Sequence, residues 1–491
     1  MLKKFSVTKL KILNKNSGLE FLILGLLIIG LSLGFNRWAY DDPFISYRYA
    51  ENISRGLGFV YNPGDRILST TTPLLTLILA LGGLLGFDLH LFATSIGIIS
   101  LAVGGLFIFD LSRTWLTPKV GWAGLLLYPT FPLLVSTIGS ETPFYLALSL
   151  GAFAFYGRKR LLATLILGAL ATLARPDGAL VLIIIGVDYL LRERGQLPWK
   201  PILAGGSILL AWVIFAWIYF GSPIPVTLGS KQSQGMMAIS QSFPQGLLTT
   251  FSVYSSWPYI LAACLGLVGI IYAIWRQLSW VLILLWSLLY FLAYTILGVS
   301  SYFWYYASLV PGIVVAVGLG INAVAEIIES AFRERKGFHY LSTIVPAVLM
   351  IILFAANSRS LWQMSKRIDT RYDIYRVVGE WLQENTRPSE RIGSLEVGIM
   401  GYFANREMVD FAGLLQPTVA EQFDIEATYE DAAIWAITNF SPQYIVLQDG
   451  LLPKVEEEVA RQNCKKTKRF IGAKYSYDWD ISIYSCDNKI K

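Results

Sequence analysis

Charge is scarce in this chain: Asp, Glu, Lys and Arg make up 15% of its 491 residues, against 54% hydrophobic residues and a mean hydropathy of +0.52. A soluble globular protein needs no such apolar surplus for its core, so the excess has to face lipid. Histidine is nearly missing. His90 and His339 are the two in the chain, and the topology argued below places them on opposite sides of a membrane, which removes a histidine metal cluster. Three cysteines exclude a disulfide framework. Cys264 lies inside an apolar run and reads as a small hydrophobe. Cys464 and Cys486 lie in the polar C-terminal segment and flank two strand-like stretches, where a single exoplasmic disulfide and two free thiols both stay open. The formal charge of +6 does not indicate nucleic acid, because the lysines and arginines form short clusters at the ends of apolar runs.

What is present is a series of apolar runs about 15 to 25 residues long, the length a helix needs to cross a hydrocarbon core; residues 19–35, 91–111, 201–220 and 304–328 are examples. Lys3, Lys4, Lys9, Lys11 and Lys15 precede the first run and no small-residue cleavage site follows it, so it reads as an uncleaved signal anchor with a cytoplasmic N-terminus. If residues 73–86 spanned, every later cationic loop would be inverted. Taken as a juxtamembrane or re-entrant helix, that segment leaves Arg113, Lys119, Arg158 to Arg160, Arg192, Arg194, Arg276 and Arg333 to Lys336 all cytoplasmic. The scheme predicts an α-helical polytopic protein of the plasma (inner) membrane with about eleven transmembrane helices. Loops 41–72, 140–142, 175–178, 221–257 and 300–303 lie outside. Segments 161–174 and 179–191 are short for two spans, and a half-buried hairpin is the alternative there. The expected division is a transmembrane part over 1–357 and a small exoplasmic α/β domain over 358–491, with a helix near 372–384 and strands at 391–395 and 444–448.

The residues able to carry chemistry fall in the exoplasmic loops. Asp41 and Asp42 follow the first span directly, where paired carboxylates are costly to keep charged without cations or solvent; the structural alternative is an N-cap with Pro43 opening the next helix. Glu141 could orient the pair, bind an acceptor or cap a helix. Arg48, Arg175 and Lys231 are suited to a phosphate. Their alternatives are a solvated helix face, an ion pair with Asp177, and an ordinary surface lysine. Tyr302, Trp304, Tyr305 and Tyr306 could stack on a sugar or form an interfacial belt.

The stretch from Asp41 through Pro43, Tyr47, Arg48, Tyr49 and Glu51 to Gly56, Gly58, Tyr61, Asn62, Pro63, Gly64 and then Thr70 to Leu74 resembles the first exoplasmic loop of GT-C-type glycosyltransferases. The likeness is to the bacterial relatives of arabinofuranosyltransferases and, more distantly, to protein O-mannosyltransferases. Further matches follow in order. They are Gly139 to Thr142, Arg175-Pro176-Asp177-Gly178, Gly221-Ser222-Pro223-Ile224-Pro225 through Lys231, Trp304-Tyr305-Tyr306 with Pro311, and Val378 to Leu414 with Gly398, Gly401-Tyr402 and Asp410 to Leu414. Two departures, Ser140 where relatives usually have Met and Val226-Thr227 where they often have Asn-Thr, bear on the donor sugar rather than on the reaction class. The resemblance implies an inverting transfer from a polyprenyl-phosphate-linked sugar to an acceptor glycan, lipid or protein in cell-envelope assembly. It implies an acidic base at Asp41 or Asp42 with Glu141, phosphate contacts from Arg48, Arg175 and Lys231, and sugar or acceptor contacts from Tyr47 and the Tyr302 to Tyr306 aromatics. No cofactor is expected; a divalent cation held by Asp41, Asp42 and Glu141 is the minority alternative. A transporter or flippase would need ionisable residues deep in several spans, whereas Asp110, Asp188, Glu326 and Glu329 lie toward cytoplasmic ends. A non-catalytic scaffold leaves the acidic pair unexplained.

Overall fold

A computed structural model describes residues 18–192, 197–332, 340–366 and 369–486. The lysines at 3–15, Arg194, Arg333 to Lys336 and His339 lie outside the described residues. The protein is a multi-pass integral membrane protein, mostly helical, with a small mixed sheet near its C-terminus. Among the described residues six helical segments are long and apolar enough to span a bilayer. They include Leu89–Thr114, Trp199–Phe220, Trp257–Arg276, Leu278–Leu297 and Phe303–Ala331, and the sixth begins at Leu341. Leu19–Phe35, Pro73–Leu84 and Leu161–Ala174 are apolar but shorter. The Pro73–Leu84 helix has 12 residues, about 18 Å at 1.5 Å per residue, well under the hydrocarbon thickness.

Local chemistry sets the helix boundaries that frame the site. Pro43 opens the Pro43–Ser54 helix and Pro73 the Pro73–Leu84 helix, where a missing N–H costs nothing. Leu161–Ala174 and Ala179–Arg192 form an antiparallel hairpin broken at Arg175 and a short turn, Pro176–Gly178. Gly178 packs so tightly there that a Cβ would collide with the Ala171 backbone. Trp257–Arg276 and Val310–Ala331 pack closely through Gly269 and Gly320, each set against backbone of the other helix.

The C-terminal sheet has the order β2-β1-β3-β5-β4, from Arg391–Ser394 (β1), Glu407–Asp410 (β2), Tyr444–Gln448 (β3), Lys465–Phe470 (β4) and Ile481–Ser485 (β5). β1 runs parallel to β2 and β3, and β5 runs antiparallel to β3 and β4. Cys464 and Cys486 are disulfide-bonded, tying the start of β4 to the end of β5. This sheet does not hang free. Phe44, Tyr47, Tyr49 and Tyr61 of the first loop share one hydrophobic core with Ile374, Val378, Ile392, Ile399 and Met408.

Candidate active site

A cavity of about 550 Å³ opens between the first loop, the helical hairpin, the 223–231 loop and the Trp304 segment. Asp42 lines it while Asp41 does not. The backbone at Asp42 starts the Pro43–Ser54 helix, and neither aspartate caps that helix with its side chain. Asp41 is buried and points the other way: one carboxylate oxygen accepts the Gly398 N–H and the other the Ile399 N–H, both at 2.8 Å. Burial pushes its pKa up to about 6, against the two N–H donors and with help from the neighbouring Asp42 charge.

Lys231 comes from the Val226–Met236 helix and is buried at the cavity wall. Its ammonium sits 3.8 Å from Asp42 and 3.9 Å over the Tyr302 ring. Among the described residues that long contact is its one ion pair, and Lys231 lines the cavity. Arg175 is engaged on all sides. It pairs with Glu141 at 3.2 Å and with Asp177 at 3.1 Å, and donates to Thr142 Oγ1 at 3.1 Å and to the Tyr294 hydroxyl at 2.9 Å. The Asp177 ion pair weighed as the alternative for Arg175 is therefore present, alongside a place on the cavity wall. Burial raises the Glu141 pKa and the Arg175 charge pulls it back. The cavity lining thus holds a braced arginine together with an acid and a lysine joined by one long contact.

The other expected residues separate. Arg48 is buried away from the cavity, donating to Asn405 Oδ1 at 2.5 Å and pairing with Glu51 at 3.3 Å. Tyr47 is buried with its hydroxyl on the Gly139 carbonyl. Trp304 and Tyr305 line the cavity. Trp304 is stacked against both Tyr40 and Tyr302, with centroids at 5.3 and 4.5 Å. Tyr306 turns inward and donates to the Phe243 carbonyl. Asp41, Asp42 and Glu141 do not converge, and among the described residues no three His, Cys, Asp or Glu side chains are placed to hold a metal ion.

Several cavity residues were given no individual role from the sequence, although Thr70, Thr72 and Leu414 fall in stretches that carry the resemblance. Ser46, Thr70 and Thr72 form a hydroxyl cluster on one wall, with Ser46 Oγ 2.9 Å from Thr70 and 3.2 Å from Thr72. Tyr294 donates to Asp177. Leu414 reaches the cavity from the C-terminal domain, on a loop ordered by buried Asp410, which accepts the N–H groups of Ala412, Leu414 and Leu415.

The architecture is the GT-C-type fold. The chain superposes on ArnT from Cupriavidus metallidurans bound to undecaprenyl phosphate with a TM-score of 0.64 at 12% identity, covering 97% of this chain and 99% of that one. It superposes on the Archaeoglobus fulgidus oligosaccharyltransferase in the apo form with a TM-score of 0.58 at 14% identity, over 88% and 70% of the two chains. In sequence it is similar to the terminal beta-(1->2)-arabinofuranosyltransferase of Mycobacterium tuberculosis, 29% identical over 47% of this chain and 40% of the relative. The match thus spans less than half the length of that curated relative. Residues 362–484 match a family described as a domain of unknown function, DUF8728.

Proposed function

We propose that the protein is an inverting glycosyltransferase that moves a sugar from a polyprenyl-phosphate donor to an acceptor hydroxyl on the exoplasmic side. The observation that carries this reading is the Asp42–Lys231 pair facing one cavity, in a fold shared with a protein crystallised with undecaprenyl phosphate. The acceptor O–H gives its proton to the Asp42 carboxylate as its oxygen attacks the anomeric carbon. The bond from that carbon to the phosphate oxygen breaks, and polyprenyl phosphate leaves with the electron pair. Its growing negative charge is met by the Lys231 ammonium. Arg175 serves as the braced edge of the phosphate region, and the hydroxyls of Ser46, Thr70 and Thr72, able to donate and accept alike, suit a polyol. The similarity to an arabinofuranosyltransferase favours a pentofuranosyl donor.

The orientation follows the charge pattern, with the C-terminal domain outside, and the Cys464–Cys486 disulfide agrees with an oxidising compartment. The test is transfer of radiolabelled sugar in proteoliposomes from a panel of synthetic polyprenyl-phosphate donors, pentofuranosyl and hexosyl, to a mixed envelope-glycan acceptor. Label moving to acceptor from at least one donor is the expected result. Donor binding with no transfer from any of them would overturn the reading.

A further inference from the structure

The C-terminal domain touches both chemical walls of the cavity, and it does so through one short stretch. On one side the first loop is stitched to residues 397–408. Asp41 accepts the N–H groups of Gly398 and Ile399, Tyr61 donates to the Val397 carbonyl at 2.5 Å, Arg48 donates to Asn405, and Asn62 exchanges two bonds with the Met408 backbone at 2.9 and 3.0 Å. The approach is so close at Gly398 that a Cβ there would collide with the Asp41 carbonyl and carboxylate. On the other side the loop after β2 holds the helix that carries Lys231. Ser230 donates to the Gly413 carbonyl at 2.7 Å and Gln234 to the Ala412 carbonyl at 2.8 Å. The first seam runs along the Ile399–Ala404 helix into β2, which pairs with β1, and the second follows β2 directly.

We propose that Asp41 is a positioning residue: it clamps the C-terminal domain to the first loop, and the clamped domain acts as a jig that fixes Asp42 against Lys231. This rests on the functional reading above and assigns the two aspartates different work. Asp42 faces the reacting groups. Asp41, with both oxygens committed to backbone N–H groups, is held away from any acceptor proton and acts through its neighbour. Arg48 then belongs to the seam and not to the phosphate site. The domain serves the transfer because a base and a phosphate cation on separate loops must be held within a fraction of an ångström.

The experiment pairs hydrogen exchange of the full-length protein in detergent with transfer from the donor that the proteoliposome assay selects. An Asp41→Asn amide places an NH2 against one of two N–H donors, losing a charge-assisted bond. Exchange over residues 397–404 should rise about tenfold or more, and turnover should fall by a larger factor than donor affinity. Asp42→Asn should leave exchange in that segment unchanged. If Asp41→Asn does not purify, Tyr61→Phe removes one seam bond away from the cavity and should act in the same direction with smaller size. Unchanged exchange in Asp41→Asn, or in Tyr61→Phe where that stands in, overturns the clamp, as does loss of transfer by Asp41→Asn without faster exchange, the pattern of a base. Full transfer by Asp42→Asn would instead remove the functional reading, and the exchange measurement would still decide whether the clamp exists.

Discussion

Two adjacent aspartates look equivalent in a sequence and are opposite in the structure, because the turn into the Pro43–Ser54 helix sends one carboxylate into the domain seam and the other into the cavity. Among the described residues Lys231 makes one ion pair, the long contact to Asp42. Removing its charge with Lys231→Met should weaken donor affinity by about ten- to a hundredfold, the loss of one charge-assisted hydrogen bond, measured by competition with a non-transferable polyprenyl phosphate. A second prediction concerns half-buried Glu396. Burial and the Asp41 charge raise its pKa to about 8 against the pull of Arg371, and Asp42, Tyr375 and Tyr477 also face it. The folded state therefore holds a proton that an unfolded carboxyl, titrating near ~4.3, has already lost. Its contribution to stability is complete below the unfolded value and vanishes as pH rises through about 8; Asp41 loses its own contribution through about 6. Thermal unfolding should accordingly show the protein less stable at alkaline pH than at mildly acidic pH, and Glu396→Gln should flatten the upper part of that slope. A slope unchanged in Glu396→Gln would show that this carboxyl is not its source.

At the level of elements, close packing by glycine decides where the bundle tolerates change. Gly269 and Gly320 meet backbone of the facing helix, so Gly320→Leu should destabilise the detergent-solubilised protein by about 1–3 kcal/mol or more, read as a lowered midpoint of thermal unfolding. The elements themselves were largely legible. The run at 19–35 is the Leu19–Phe35 helix, the hairpin broke at Arg175 to Gly178 as its Pro and Gly demand, and the strand expected at 444–448 is β3. The strand at β2 was not legible. It is four residues long and pairs in parallel with β1 across an intervening helix, so its partner, not its own pattern, makes it a strand. The site divides in the same way. Asp41, Asp42, Glu141, Arg48, Arg175 and Lys231 stood out because charge is rare on the outer side, and of these Asp41 and Arg48 do not line the cavity. The partners of Asp41 were not legible, since its contact with Gly398 bridges 357 positions of chain, which no local pattern encodes.

For the whole molecule, the sheet domain and the first loop form one packed unit on one face of a helical bundle, and the orientation of that unit decides where the chemistry occurs. In a Cys264→Ser background, Lys366→Cys should react with an impermeant maleimide in intact cells and Arg158→Cys should not, because the charge scheme puts them on opposite sides; the reverse pattern would invert the topology. The proposed transfer depends on the cavity carboxylate at Asp42 acting as the general base. The measurement that tests it most directly is single-site turnover of Asp42→Asn in proteoliposomes at saturating donor, with donor affinity determined in parallel. An amide keeps the shape of the carboxylate and loses its basicity, so turnover should fall by about a hundred- to ten-thousandfold while donor affinity stays near the wild-type value. Near-native turnover would leave Asp42 as no more than the partner of Lys231 and rule it out as the base.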